Sequence, residues 1–443
     1  MKTIREITKI KHMFHQFVDG KRKRRPHRRI VTKDSLLEGF FEKDRWQYAL
    51  EKGTGEKKMN KGDMRLLSDP KVRSDMAVRI VSGDYRIAPP HMQLIPKDTP
   101  GEFRTVYINE NVDRIFLSIL NDLLMEVYAD WIHPQCKSYQ KGIGCGKVVQ
   151  ELSHHITKWD RGFKADLSKY FDRVPLWAID EVLDRMEPSQ LVDILWEYYH
   201  TDLCFDTDGN LIEHYQSLKQ GCATASFFAD VLLYDIDDKL SKLNGYYVRY
   251  SDDICFIGPD YELAMQILVE ELAKLELDLN PKKVEYLSKD RYFKFLGFAI
   301  RGESITISQG RLKKFQKEIE SRTFRKSPIK ARNQVVRYLY GGKYSWATSI
   351  LPIINVEEDI RELDKFVFDC LRATITKKWK VGGLGYVPTQ KGGVIQRGTG
   401  KNVTANRNKT KTWFDDMYSI GTMRKAMLTS REAYDALARE MEV

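Results

Sequence analysis

The chain has 443 residues and carries 73 Lys and Arg against 62 Asp and Glu, a formal net charge of +11 that favours a polyanion such as nucleic acid as partner. A hydrophobic content of 42% fits a folded protein with room for roughly two to four domains, and no apolar run approaches the ~20 residues that a membrane span needs. No secretion signal is visible, and the six cysteines and nine histidines show neither CxxC pairing nor metal-ligand spacing; this excludes a disulfide framework or a zinc site and points to a cytoplasmic, reducing location.

Residues 1–35 form a basic arm, with Lys21 to Arg25 and Arg28-Arg29; it reads equally as solvated charge or as a phosphate-contacting segment. Residues 36–80 read as helical, with Leu37, Phe40, Phe41, Trp46 and Leu50 near helical spacing and a Gly/Lys-rich loop at 52–62. Two β-like runs between Tyr85 and Arg114 are joined by the turn Lys97 to Gly101, which Pro and Gly punctuate. Lys97 and Arg104 flank that turn, near enough across a ribbon to grip one triphosphate, the Arg as a fork and the Lys as a point charge; simple solvation is the alternative. Asp113 to Trp131 reads as an amphipathic helix with Phe116, Leu120, Leu123 and Val127 on its apolar side. The Gly-rich loop Ser138 to Gly146 lacks the strand and helix context of a phosphate-binding P-loop.

In Arg161 to Asp172, Phe163 and Ala165 alternate with Lys164 and Asp166, so Asp166 falls where a strand gives way to a loop. Pro175 is expected at the first position of the next helix, and Phe171 is bulky enough either to close against a sugar 2′ position or to fill a core. Ser217 to Leu240 begins as a Gln-Gly loop and continues as one helix, with Phe228, Val231, Leu232 and Asp235 along one side. Tyr247 to Gly258 then reads as a tight hairpin with Ser251-Asp252-Asp253 at its turn. Crowded carboxylates are unfavourable unless cations neutralise them, and three acids around two hard cations suit nucleotidyl transfer. The other two pairs, Asp237-Asp238 and Asp415-Asp416, read as ordinary solvated charge. A helix at 261–275, a turn carrying Lys283 and a short strand pair at Phe295 to Phe298 follow. Helices with basic faces are expected at 308–321, 328–348 and 357–380, then a loop-like 381–411 and one or two further helices.

The order of these motifs resembles the reverse transcriptases, in particular the bacterial branch that holds group II intron, retron and defence-associated enzymes. Ile95 to Arg104 with Asp113-Arg114 resembles its first fingers motif. Asp166 with Phe171-Asp172 resembles motif A, Leu218 to Gly221 motif B, and Tyr250 to Asp253 motif C. Leu279-Asn280 with Lys283 resembles motif D, and Phe295 to Phe298 the primer grip.

The resemblance implies an α+β right-hand polymerase: a basic N-terminal extension and helical fingers part at 1–84, fingers at 85–160, a palm of antiparallel sheet and helices at 161–300, a helical thumb at 301–380 and a C-terminal extension at 381–443. It implies two Mg²⁺ (or Mn²⁺) on Asp166, Asp252 and Asp253, with Lys97 and Arg104 on the triphosphate of a dNTP. Gln220 and Gly221 would meet the nascent pair and template, Phe171 would gate the sugar, and Lys283 would protonate pyrophosphate. The partners implied are an RNA template, including a dedicated noncoding RNA, and a cDNA product, with no membrane and with room for a homo-oligomer or an accessory protein. The family usually has Pro where Lys219 stands, Ser-Pro at Ala225-Ser226 and Asn at Asp230; these departures favour the divergent, defence-associated group. Template-independent or protein-primed synthesis on the same fold, and a catalytically silent RNA-binding scaffold, are the competing readings.

Overall fold

A computed structural model describes residues 36–55, 69–97, 101–140, 143–214, 217–341 and 345–376. The basic arm, most of the 52–62 loop, the tip of the 97–101 turn, Asp415-Asp416 and the C-terminal helices expected after 411 lie outside the described residues. No helix among the described residues is long and apolar enough to cross a membrane.

The chain divides into two compact units. The first takes in residues up to Gln140, Phe163–Phe256 and Asp260–Glu285; the second takes in Lys141–Gly162, Ile257–Pro259 and the chain from Tyr286.

The first unit opens with the helices Leu36–Phe40, Lys43–Gly55 and Pro70–Ser82. Asp69 caps the third by accepting from Lys71 N–H, Pro70 starts it, and left-handed Gly83 ends it. The first two pack on the helix Asn111–Val127, where Phe40 and Phe116 lie 5.0 Å apart. That helix is apolar on more than the expected side, since Ile115, Leu117, Ile119 and Leu124 are buried along with Phe116, Leu120 and Leu123. Its Asp113 is buried too, accepting Tyr85 O–H at 2.5 Å and Ala88 N–H at 2.9 Å, which fixes how the chain enters the first sheet.

Strands β1 (His91–Pro96) and β2 (Phe103–Ile108) pair antiparallel, with Ile95 opposite Arg104. In the second sheet, β3 (Gly162–Asp166) is followed by the helices Tyr170–Arg173, Leu176–Asp184 and Gln190–His200. Pro175 is the cap residue of the second of these, one place earlier than expected. Strands β4 (Leu203–Phe205) and β5 (Leu211–Glu213) extend the first sheet in the order β2-β1-β4-β5.

The single helix expected over 217–240 is two helices, Ala225–Val231 and Tyr234–Ser241, broken at Leu232-Leu233. Asp235 is accordingly exposed, while Asp230 and Asp237 point inward. Strands β6 (Tyr246–Tyr250) and β7 (Asp253–Ile257) follow, lying beside β3 in the order β6-β7-β3. The helix Tyr261–Lys274 matches its expected span. Strand β8 (Glu285–Leu287) sits at the chain boundary of the two units.

In the second unit, β9 (Phe293–Phe295), β10 (Phe298–Arg301) and β11 (Ser304–Ile307) form an antiparallel sheet with the helix Cys145–Trp159 against it. The turn Leu296-Gly297 has both φ values positive, and Arg311 holds its Leu296 carbonyl at 3.0 Å. Glycine suits the second position because its φ is +78°, a region that L side chains rarely adopt. The helices Gln309–Thr323, Pro328–Tyr340 and Glu357–Thr376 bury Phe315, Val335, Leu339 and Leu371. Lys313, Lys314, Lys317 and Lys330 are exposed on the first two. The expected 328–348 helix ends at Tyr340, and Trp346–Ser349 is a separate turn of helix.

Candidate active site

Strand β3 buries Phe163 and Ala165, and the same extended run delivers Asp166 to its end, itself only 8% exposed. Two sets of backbone bonds fix that end. Leu167 N–H donates to the Asp252 carbonyl at 3.3 Å, tying β3 to the hairpin turn. Ser168 N–H donates to Asp278 O at 2.8 Å, and Asn280 N–H donates to Asp166 O at 2.8 Å, which draws in the segment that bears Lys283. Lys283 Nζ then meets Asp166 Oδ2 at 2.7 Å.

The hairpin is as expected: apolar β6 and β7 are joined by the two-residue turn Ser251-Asp252, and Asp253 opens β7. Ser251 sits in the left-handed region at φ +57°, an uncommon conformation for a residue with a Cβ. Burial raises the Asp252 pKa, as does the charge of Asp166, against the opposing pull of Lys283 and Arg104. Asp253 is pushed up to about 6, first by burial and then by Asp252 and Asp166. Asp252 and Asp253 therefore both feel the charge of Asp166, with burial the larger cause of each shift.

Asp252 and Asp253 have no hydrogen-bonded cation among the described residues, and no three His, Cys, Asp or Glu side chains there close around a single point. The donors are all carboxylate oxygens, the set that suits a hard divalent cation.

Arg104 is exposed on β2, and Lys97, just past β1, lies 3.8 Å from Glu102. Both cations act on the charge of Asp172, and Arg104 also acts on Asp252, so they belong to the same electrostatic neighbourhood as the acids. Phe171 is half-buried, edge-on to Tyr170 at 5.6 Å, and its carbonyl accepts Leu218 N–H at 3.0 Å. Two residues on, Gln220 O accepts Tyr107 N–H at 2.7 Å. Gly221 has φ +108°, and a Cβ there would lie 2.9 Å from Tyr107 O, so only glycine lets this loop press against β2. All nine residues expected from sequence thus fall in one unit, stitched together by short backbone bonds.

Three features escaped the sequence reading. Asp237, expected to be solvated, is fully buried: it accepts from Arg249 at 2.7 and 2.6 Å and from Tyr247 O–H at 2.6 Å. A signal for this existed, since Arg249 interrupts an apolar strand at an inward position. Asp230 is also buried; Ser138 O–H donates to it at 2.6 Å, and burial raises its pKa to about 6. Lys219 is buried with φ +50°, a value closed to proline.

Acidic oxygens gathered without a nucleophile or general base of their own suit chemistry that neutralises charge and leaves the protein covalently untouched. On an α+β fold, such a set suits nucleotidyl transfer. Residues 95–300, just under half of the chain, match the family described as reverse transcriptase (RNA-dependent DNA polymerase), and this segment is a reverse transcriptase domain.

No curated protein matches the chain. Among solved structures, telomerase from Candida albicans in complex with a TWJ fragment of telomeric RNA is 13% identical. Its TM-score is 0.37, over 69% of this chain and 66% of that one. Apo telomerase from Candida tropicalis is 14% identical with a TM-score of 0.42, over 66% and 58%. The chain spans less than two thirds of the length of either structure.

Proposed function

We propose that the whole chain is an RNA-directed DNA polymerase that extends a 3′ hydroxyl with dNTPs. The observation that carries this reading is the backbone bond from Leu167 N–H to the Asp252 carbonyl at 3.3 Å, which sets the end of β3 beside the Asp252-Asp253 turn, together with Lys283 seated on Asp166 at 2.7 Å. Asp166, Asp252 and Asp253 would hold two Mg²⁺ or Mn²⁺ ions. Such ions supply activation of the attacking hydroxyl and neutralisation of the leaving pyrophosphate.

The chain's own groups do the positioning. Arg104 and Lys97 grip the triphosphate, Gln220 and Gly221 line the nascent pair, and Phe171 excludes a 2′-hydroxyl. Lys283, an ammonium beside Asp166, would protonate the departing pyrophosphate. Residues 85–160 serve as fingers, 161–300 as palm and 301–380 as thumb, with 1–84 and 381–443 as extensions. The exposed lysines of the helices Gln309–Thr323 and Pro328–Tyr340 support a thumb that holds a duplex by its phosphates.

The template is read as RNA from the family match over 95–300, and as a dedicated noncoding RNA in antiphage defence from the resemblance to the defence-associated group. Sequencing the nucleic acid that copurifies with the protein, and the DNA made from it on addition of dNTPs, tests this directly. The expected result is one recurrent RNA and a complementary DNA. DNA unrelated to any bound RNA overturns templated synthesis, and no dNTP incorporation overturns the polymerase.

A further inference from the structure

Arg249 lies on β6, three residues ahead of Asp252, and its side chain is fully buried. A guanidinium in that position needs its charge matched and its donors filled. Asp237 matches the charge through Nε and Nη2 at 2.7 and 2.6 Å, and the Tyr247 hydroxyl holds Asp237 in place. Three main-chain carbonyls take up more of its donor capacity: Asp230 O at 2.8 Å, Ala229 O at 3.3 Å and Ser251 O at 3.2 Å.

The last of these carbonyls matters most. Ser251 is the left-handed residue of the hairpin turn, and its carbonyl belongs to the peptide plane that leads into Asp252. On the next peptide, the Asp252 carbonyl accepts Leu167 N–H at 3.3 Å. Two consecutive peptide planes are therefore pinned, one by a buried arginine and one by the end of β3. Arg249 is itself held at both ends of its backbone, by Gln135 O at 3.0 Å and Lys137 N–H at 2.8 Å.

We propose that Arg249 is a positioning residue: by holding the Ser251 carbonyl it keeps the turn left-handed and aims Asp252 and Asp253 at the space faced by Asp166. This rests on the polymerase reading insofar as it takes those acids to receive divalent cations.

The test uses the full chain and measures Mn²⁺ binding to the resting protein by electron paramagnetic resonance, alongside dNTP incorporation titrated with Mg²⁺. Arg249→Lys keeps the charge and loses the fork. We expect Mn²⁺ binding and kcat to fall ~10- to 100-fold, half-saturating Mg²⁺ to rise in step, and KM for dNTP to stay put. Tyr247→Phe, which touches Asp237 but not the turn, is expected to lower the melting temperature with Mn²⁺ affinity unchanged.

A folded Arg249→Lys protein with wild-type Mn²⁺ affinity overturns the proposal. If that variant does not fold, the same measurement on Asp237→Asn decides, with wild-type affinity again the overturning result. If neither folds, the arginine is a core ion pair and the proposal falls. Wild-type protein that binds Mn²⁺ yet adds no nucleotide sinks the polymerase reading and leaves the positioning role standing.

Discussion

Two pairs of adjacent aspartates in the same unit have opposite fates. Asp237 of the first pair is buried against the forked guanidinium of Arg249, while Asp238 stays near the surface with Lys242 at 2.6 Å. Both charges of that pair are answered by the protein. The second pair, Asp252-Asp253, is half-buried beside the buried Asp166, and two of the cations around it are committed elsewhere. Lys283 is bound to Asp166, and Lys164 lies 2.9 Å from Glu285. Burial therefore does not distinguish an acid that builds the fold from one that serves a site; the ownership of the neighbouring cations does.

The largest effect is expected from Asp252→Ala/Asp253→Ala, which should cut nucleotide incorporation by ~10³-fold or more, equivalent to at least about 4 kcal/mol of barrier. Because the two acids repel each other, the metal-free variant should melt no lower than the parent. A variant that retains activity, or one that unfolds, breaks the contrast between the pairs. Asp237→Ala should do the reverse by leaving Arg249 buried with only the Asp230 carboxylate, 3.9 Å away and not in its fork, a loss of ~3–5 kcal/mol in chemical denaturation. Asp238→Ala removes only a surface pair and should change stability by ~0–1 kcal/mol.

The catalytic-looking half of this contrast was legible in the sequence. Alternating apolar residues on both sides of Ser251-Asp252-Asp253 announce a hairpin, and the Phe163/Ala165 alternation places Asp166 at a strand end. Such signals are local, and the backbone period carries them. Asp237 was not legible in the same way, because its partner sits on another element and a dipeptide carries no record of what faces it in space. The break at Leu232-Leu233 was hidden for a related reason. No Gly or Pro marks it, and packing of both halves against the core decides it.

A smaller effect is expected at the rim of the acid cluster. Phe171 is half-buried against Tyr170, so its ring has both a packing role and a free edge. Phe171→Ala should relax dNTP preference over rNTP by ~10- to 100-fold, the scale at which a shape-selective pocket discriminates one small group. Competing incorporation of the two nucleotide types on one template reads this out. An unchanged ratio would assign Phe171 to the core and leave the sugar gate elsewhere.

Lys219 offers the mildest and most specific test, because its buried charge has no carboxylate at ion-pair distance among the described residues. Its ammonium donates to Thr201 O at 2.9 Å and lies 5.0 Å from the Tyr198 ring. Burial lowers its pKa to about 8 from an ordinary 10.5, with Cys222, Asp202 and Cys204 pulling the other way. The sign follows from proton binding: between pH 8 and 10.5 the unfolded chain holds the proton that the folded chain has released, so stability rises with pH across that window. Below pH 8 the folded protein carries the full penalty, roughly 3 kcal/mol by linkage. Lys219→Met keeps the length and removes the charge, at the loss of one hydrogen bond to Thr201 worth ~1 kcal/mol. It should stabilise the protein by ~1–2 kcal/mol at pH 7 and lose that advantage by pH 10.5, as read by denaturant midpoints at both values. A variant equally stable relative to wild type at the two pH values would mean that Lys219 finds a counter-charge after all, and would move it to the side of Asp237.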